Sequence, residues 1–439
     1  MADNLRIFGN TYNNAVGVKM TDTNGSVVTY MPLEPEPLDV NFIDYDGTLL
    51  YSYTAQEFLT FTAMPDNPSH DGLIAQGWNW TLSDAKSYTQ KYGALVVGQL
   101  YTTDDGCTRF YISVDDRLSL EFSVRIQASV NSGVTIDWGD GSTTITTGTS
   151  ATQYDHIYED VGDYIVSLKA NSGTVTLIGS WGSKNAFGNG DVYADLSSAN
   201  KVYKVEMGEN AIIGSYAFQK AFNVETITVA TDTVFNNSDY AFDRADALKC
   251  FIYNSNATSG AIMNNKDKLE WISFSNTITT LQQSVRTGLS IVTVPESVTT
   301  LPNRAFGDSQ SLRRLIIPDS VTVLPQSIVD NSHRLKEFIF RDTVTEIGKQ
   351  CLIRSSAIWT ITFPANVTTM GASILGENTT IKEVHMKPTT PPTLEGALLY
   401  AAATPVIYVP YSADHSVLTA YKEATNWSTY ADMMVEETT

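Results

Sequence analysis

Residues able to do chemistry are sparse in this chain, and they are scattered. The densest acidic set is Asp44 and Asp46, which follow the apolar run Val40-Asn41-Phe42-Ile43 and precede Gly47-Thr48-Leu49. Asp46-Gly47 also suits a turn between strands, because Gly accepts positive φ and Asp bonds its own backbone. Asp137 and Asp140, in Asp137-Trp138-Gly139-Asp140-Gly141-Ser142, are a second acidic pair. They offer a weak cation site, but turn-stabilising hydrogen bonds are the expected use of that pattern. The five histidines, His70, His156, His333, His385 and His415, show no metal-ligand spacing and no sequence-adjacent Cys or Ser partner. Cys107, Cys250 and Cys351 are too few and too far apart for a disulfide framework or a zinc site. Cys250 and Cys351 sit in apolar surroundings and are expected to be buried small hydrophobes. There is no Gly-rich phosphate loop, so no catalytic set, metal site or cofactor is expected.

The run from Val40 to Leu49 resembles the first motif of haloacid-dehalogenase-type phosphatases. That resemblance implies Asp44 as nucleophile, Asp46 as acid/base and Mg²⁺ beside the phosphate, with Gly190-Asp191 and Asp195 echoing the acidic metal motif. The chemistry needs a doubly wound α/β sheet with the nucleophile at the carboxyl end of a central strand. No alternation of strands and helices follows residue 50 to build one, so a phosphatase at Asp44 is kept only as an alternative reading.

The elements that must position any site come from the rest of the chain. With 439 residues, two to four domains are expected. Twenty-eight basic against 48 acidic residues leave a net charge of −20, which disfavours nucleic acid or an anionic membrane as partner. No run reaches the ~20 apolar residues a membrane helix needs, so membrane insertion is not expected. The N-terminus, MADNLRIFGNTYNN, shows no apolar segment of a secretory signal.

From about residue 200 one pattern recurs: apolar, two variable positions, apolar, one variable position, apolar. It starts at Val202, Val224, Leu248, Leu269, Leu289, Leu312, Leu335, Ile358 and Ile381, at intervals of 20 to 24 residues. That period and a strand-like end to each unit predict a leucine-rich-type solenoid. Pro295, Pro318 and Pro364 end their strands, since proline cannot donate to a ladder. Val298 and Leu301, Val321 and Leu324, Val344 and Ile347, and Val367 and Met370 are expected to fill the interior behind them. The units Ile317-Pro318-Asp319-Ser320-Val321-Thr322, Val294-Pro295-Glu296-Ser297-Val298-Thr299, Ile213-Gly214-Ser215-Tyr216-Ala217-Phe218 and Asn303-Arg304-Ala305-Phe306 resemble BspA-like (Treponema-type) leucine-rich repeats. The resemblance implies a surface-exposed or secreted protein of host-associated microbes, often used in adhesion.

Upstream, strand-like alternation over Leu118–Val124 and Val134–Ile136 is followed by the Asp137–Ser142 turn, His156-Ile157-Tyr158 and Val161–Leu168. These motifs in this order resemble the PKD domain, an immunoglobulin-like β-sandwich of extracellular proteins. Nearer the N-terminus, Val16 to Met20 and Val27 to Tyr30 read as strands flanking Asn24-Gly25, and Leu33 to Pro37 as a stiff linker. Residues 54–63 and 81–92 read as helices, with Thr54 and Ser83 as N-caps. Gly77-Trp78-Asn79-Trp80-Thr81-Leu82 is similar to a segment that accompanies such repeats in gut-bacterial and phage-associated proteins. Past residue 388, Pro391-Pro392 breaks the repeat, Val406 to Val409 reads as a further strand, and Val417 to Ala424 as a short helix. The whole is expected to be mainly β and multidomain. Its parts are an N-terminal β segment and Pro-rich linker (1–40), a small α+β module (41–117), a PKD-like sandwich (118–170), a connector (171–200), repeats (201–388) and a C-terminal cap (389–439).

In such a solenoid the variable strand positions project from one face. Here they are Trp271, Ile291, Arg314, Ile316, Glu337, Ile339, Thr360 and Thr362, with Ser273, Thr293, Glu383 and His385 beside them. Exposed Ile and Trp there form a candidate contact patch, although Ile and Thr also suit any pleated surface. Alanine at Trp271, Arg314 and Ile316 is expected to leave folding intact and weaken a ligand. The expectation is therefore a non-enzymatic adhesion or recognition protein, extracellular or on the cell surface, binding a host or cell-surface protein or glycan. A phage tail-associated, virion-borne receptor-binding or structural protein is the alternative, and the oligomeric state is left open.

Overall fold

A computed structural model of the chain describes residues 38–115, 119–179, 184–189, 198–231, 233–235, 240–254, 268–279, 281, 289–399 and 404–437, and the backbone of four short strands before them. Two of those four, Val18–Thr21 and Val27–Tyr30, pair antiparallel as the sequence suggests. The Asn24-Gly25 turn, the Leu33–Pro37 linker, Leu118, Gly190-Asp191 and Asp195 lie outside the described residues.

The protein is mainly β, with a C-terminal solenoid of about nine turns. One side of the solenoid carries the expected strands, from Val202–Glu206 through Cys250–Tyr253, Trp271–Phe274, Ile291–Thr293, Arg314–Ile316, Glu337–Phe338 and Thr360–Phe363 to Glu383–Met386. Strands end directly before Pro318 and Pro364 or just short of them, because those residues have no N–H to give to the ladder. A second side stacks two-residue strands, with Val323 beside Glu346 and Glu346 beside Thr369. The inward residues of this return segment, among them Val298, Val321, Leu324, Val344, Ile347, Val367 and Met370, are buried and fill the interior.

The third side was not foreseen. Among the described residues, six coils bend there through two left-handed residues four apart: Tyr216 and Lys220, Tyr240 and Arg244, Arg304 and Asp308, Ser327 and Asn331, Gln350 and Arg354, Ser373 and Glu377. Their φ values lie between 55° and 63°. None is glycine, so each costs roughly 1–2 kcal/mol of backbone strain. The offset is a third intercoil ladder, in which Arg304, Phe306 and Asp308 donate their N–H groups to the carbonyls of Gln326, Ile328 and Asp330. Asp330 is also held by Arg304 and Arg354 from the coils on either side.

Residues 108–177 form a two-sheet sandwich, and both its sheets continue into the solenoid. Thr108–Val114 pairs antiparallel with Val202–Glu206, and Val175–Leu177 pairs parallel with Ala211–Ile213. The sandwich is thus the N-terminal lid of the solenoid core rather than a separate bead, and residues 171–200 are not simply a connector. Thr108–Val114, placed with the preceding module on sequence, belongs to the sandwich sheet through its pairing with Gly162–Ala170. Trp138 is buried in the sandwich core.

The α+β module is a four-stranded sheet in the order Leu49–Tyr53, Val40–Ile43, Leu95–Thr103, Leu73–Trp78, with helices α1 (Ala55–Leu59) and α2 (Leu82–Tyr92). Thr54 caps α1 in a reciprocal box with Glu57. The α2 cap is Thr81 rather than Ser83: the Thr81 hydroxyl accepts from the Asp84 N–H, which starts the helix at Leu82. At the C-terminus, Val406–Val409 and Met434–Glu436 extend the strand face beyond the repeats, and α3 (Ser416–Glu423) covers the last coil. Buried Trp427, Tyr421 and Tyr430 donate to the carbonyls of Pro392, Pro388 and Leu399. Each aromatic ring thereby closes the open core while its polar atom satisfies a terminal carbonyl.

Candidate functional site

Asp44 ends the strand Val40–Ile43, and its residue is only 2% exposed. One carboxylate oxygen accepts the Tyr45 N–H at 2.9 Å, and the other meets His70 Nε2 at 2.8 Å. The Asp46 carboxylate accepts the Thr48 N–H at 2.9 Å, and Gly47 takes φ +93°. Both acids therefore build a tight hairpin turn, as the Asp-Gly reading predicts. The turn lies against the solenoid, where the Cys250 thiol reaches the Asp44 carbonyl at 3.4 Å. The Asp44 carboxylate is thus engaged by the turn and by His70 and turned towards an interior.

The remaining reactive groups are likewise engaged. Asp137 accepts from the Gly139 N–H, and Asp140 accepts from Ser142 and meets His156, whose ring stacks on Trp138 at 4.9 Å. His385 and His415 pair with Glu437 and Glu436, and His333 meets Ser356. Burial pushes the thiols of Cys250 and Cys351 well up, so neither is a thiolate at neutral pH. Among the described residues no cluster of three or more His, Cys, Asp or Glu could hold a metal ion.

The strand face divides into two halves. Over its N-terminal half the face is covered by the chain's own α+β module. Trp271, Ile291 and Ile316, expected to be exposed, are only 7%, 5% and 1% exposed. Trp271 and Ile291 pack with Ile43, Tyr45, Val96, Leu100 and Tyr101, and Ile316 joins the core under α2. Arg314 is held by Asp39 at 2.8 Å and Glu337 at 3.2 Å. These four residues are thus corrected from a free contact patch to a docking surface. The outward strand positions do point away from the solenoid core, but a second layer of the same chain lies over them.

The docking is specific in its polar contacts. Asn79 Nδ2 donates to Ser273 Oγ at 2.8 Å, and Ser273 Oγ donates in turn to the Val96 carbonyl at 2.8 Å. Trp80 Nε1 donates to the Phe274 carbonyl at 2.9 Å, and the Tyr88 hydroxyl to the Val294 carbonyl at 2.6 Å. Burial raises the Tyr88 hydroxyl well above its usual pKa and keeps it a neutral donor. Lys91 and Tyr92 both meet Glu296, and the Arg341 guanidinium lies 4.4 Å from the Tyr92 ring centre. All nine residues of Leu95–Thr103 are buried, because the strand has its own module on one face and the solenoid on the other. A Cβ on Gly98 would sit 2.7 Å from Ile252, which explains the glycine. The legible signal was the unbroken apolar run Leu95-Val96-Val97, typical of a strand buried on both faces.

Beyond Arg314 the face is open. Glu337, Ile339, Thr360 and Thr362 are exposed, with Ile339 at 38% and the neighbouring Trp359 at 68%. Further along, His385 stacks on Tyr408 at 4.6 Å, and Val406 and Val435 are exposed. A pocket of about 380 Å³ opens here, lined by Lys336 to Phe340, Thr360, Thr362, Pro364 and Lys387.

Residues 197–290 and 285–392 match the BspA type leucine rich repeat region, in six copies. No curated protein matches the chain. Similar solved structures include a leucine-rich repeat protein from Bacteroides ovatus, at 15% identity over 55% of this chain and 68% of that one, with a TM-score of 0.35. The pneumococcal vaccine antigen PcpA is 15% identical over 52% of this chain and 79% of its own, with a TM-score of 0.26. A leucine rich cell surface protein from Faecalibacterium prausnitzii is 12% identical over 60% and 94%, with a TM-score of 0.26. Residues 197–392, somewhat under half of the chain, thus carry repeats that match the BspA-type leucine-rich repeat model.

Proposed function

We propose that this is a non-enzymatic adhesion or recognition protein of the cell surface, which binds a host or cell-surface protein or glycan through the C-terminal half of its strand face. The observation that carries the reading is the contrast along that face. The chain covers Trp271, Ile291 and Ile316 with its own module and leaves Ile339, Thr360, Thr362 and Trp359 exposed around a pocket. Exposed apolar and aromatic groups on a rigid sheet supply contact area with little entropy lost on binding. The engaged acids, histidines and thiols described above support a binding role over a catalytic one.

The test is binding of wild-type protein and an Ile339→Asp, Thr362→Arg variant to host-protein and glycan arrays. Loss of the wild-type signals at unchanged thermal stability is expected. Retained signals would place recognition elsewhere.

A further inference from the structure

The pocket on the open half-face sits where two neighbouring coils do not pair. Glu337–Phe338 closes one parallel sheet of the strand face, Thr360–Phe363 opens the next, and the two share no ladder pair. The same coils stay paired on the return side, where Glu346 meets Thr369. Their cores also stay in contact, since the Phe340 and Phe363 rings lie 5.1 Å apart. The opening is therefore a shallow surface defect, too narrow for an inserted strand, which would part the coils by ~9–10 Å. Neighbouring bonds show which backbone groups face it. The Glu337 N–H bonds back to the Arg313 carbonyl, and the Trp359 and Phe363 carbonyls are taken by Glu383 and Lys387 of the following coil. Successive residues of a parallel strand point their N–H and C=O groups to alternate sides, so those of Phe338, Thr360 and Thr362 turn into the opening. Among the described residues no backbone hydrogen bond joins them across it. Phe338 and Phe340 are 6% and 8% exposed there, whereas the matching inward residues Leu315, Ile317, Ile361 and Phe363 are at most 2% exposed.

We infer that this pocket holds one neutral sugar unit of a glycan; this rests on the reading of the open half-face as the recognition surface. The pocket's volume of about 380 Å³ suits a small ring. Its polar lining is mixed: unmade backbone donors and acceptors stand beside the Thr360 and Thr362 hydroxyls. The Thr360 hydroxyl donates to Glu383 at 3.3 Å, which leaves its oxygen able to accept. A sugar hydroxyl both donates and accepts, so one ring can meet such a set without matching the register of a strand. An apolar side chain of a partner protein would instead bury these groups without partners, which costs more than its own burial returns. The uncovered edges of Phe338 and Phe340 give the C–H face of the ring an apolar seat. Trp359, directly before Thr360 and 68% exposed, offers a flat surface for the next unit. Lys336, Lys387 and Glu337 line the same pocket, so charge of both signs is present and no acidic group is selected.

The experiment applies the whole chain to an array of neutral oligosaccharides, their fully O-methylated counterparts and unglycosylated host proteins. Neutral oligosaccharides are expected to bind, and O-methylation to remove about nine-tenths of the signal, because it deletes every hydroxyl donor and keeps the apolar face of the ring. Thr362→Val should weaken the best glycan about tenfold, the worth of one hydrogen bond, and Trp359→Ala by a similar factor, each with the thermal midpoint unchanged. Amide exchange at Phe338, Thr360 and Thr362 should be fast in the free protein and slow about tenfold or more with that glycan bound. No signal from any neutral oligosaccharide, equal signal from the O-methylated set, or amides already protected in the free protein would overturn the proposal. Unglycosylated host proteins held through Ile339 and Thr362 in that event would leave the recognition face standing and remove only its assignment to a sugar.

Discussion

Replacing Trp271 with alanine separates the two layers of this molecule. The Trp271 side chain projects from the strand face into a cluster with Tyr45, Val96, Leu100, Tyr101 and Ile291, while its neighbours Ile272 and Phe274 point into the solenoid. Truncating a buried Trp typically costs ~3–5 kcal/mol, from lost transfer energy and the cavity left behind. That loss falls on the docking of the α+β module, because the inward residues that hold the coil are untouched. At about 1.4 kcal/mol per factor of ten, the undocked population rises roughly a hundred- to a few thousand-fold. Amide exchange at Val96, Tyr101 and Thr103 reports it directly, since those N–H groups donate to Thr293 Oγ1 and to the Val229 and Met207 carbonyls of the solenoid. Exchange there should accelerate by at least a hundredfold, while amides of Thr360–Phe363 and Glu383–Met386 change little. Acceleration below about threefold would refute the reasoning, because Trp271 would then not hold the module down.

Other perturbations follow the same contacts. Gly98→Val should destabilise docking by ~1–3 kcal/mol through overpacking against Ile252, and a second change, Ile252→Ala, should recover part of it in a double-mutant cycle on thermal unfolding. Trp427→Ala should open the C-terminal end at a cost of ~3–5 kcal/mol, read as faster exchange in Val406–Val409 with the sandwich unaffected. Partial burial pushes the Asp140 carboxyl up, but hydrogen bonds from Ser142 and His156 outweigh it and bring the group down to about 2 from 3.8. A depressed carboxyl pKa stabilises the fold above the unfolded value, so this contribution is intact above 3.8 and lost as pH falls towards 2. Asp140→Asn should flatten that part of the acid-unfolding curve, and an unchanged curve would contradict the assignment.

The solenoid was legible because its code is local. Strand starts recur at nearly fixed spacing, and the expected inward positions from Leu289 to Met386 are buried where the pattern places them, apart from Leu301, which is only partly buried. The tight turns at Asp44 to Gly47 and Asp137 to Ser142 were legible for the same reason, since their hydrogen bonds close within a few residues. The docked half of the strand face was not, because its contacts join residues nearly 200 positions apart, such as Asn79 and Ser273. On periodicity alone Trp271 and Ile316 are indistinguishable from Ile339: all three are outward residues on the same face. What separates them is whether another part of the chain lies opposite. The left-handed pairs were hidden too, since Tyr216, Arg304 and Gln350 carry no compositional sign of positive φ. Only the intercoil ladder, a tertiary feature, makes those conformations affordable.

The most direct measurement of the central claim is an amide-exchange footprint of the whole protein with and without a ligand selected from host-protein or glycan arrays. Protection is predicted at residues 336–340 and 359–363, with none added at Trp271–Phe274 or in the sandwich. New protection confined to the sandwich, to the left-handed side of the coils or to the α+β module would contradict it.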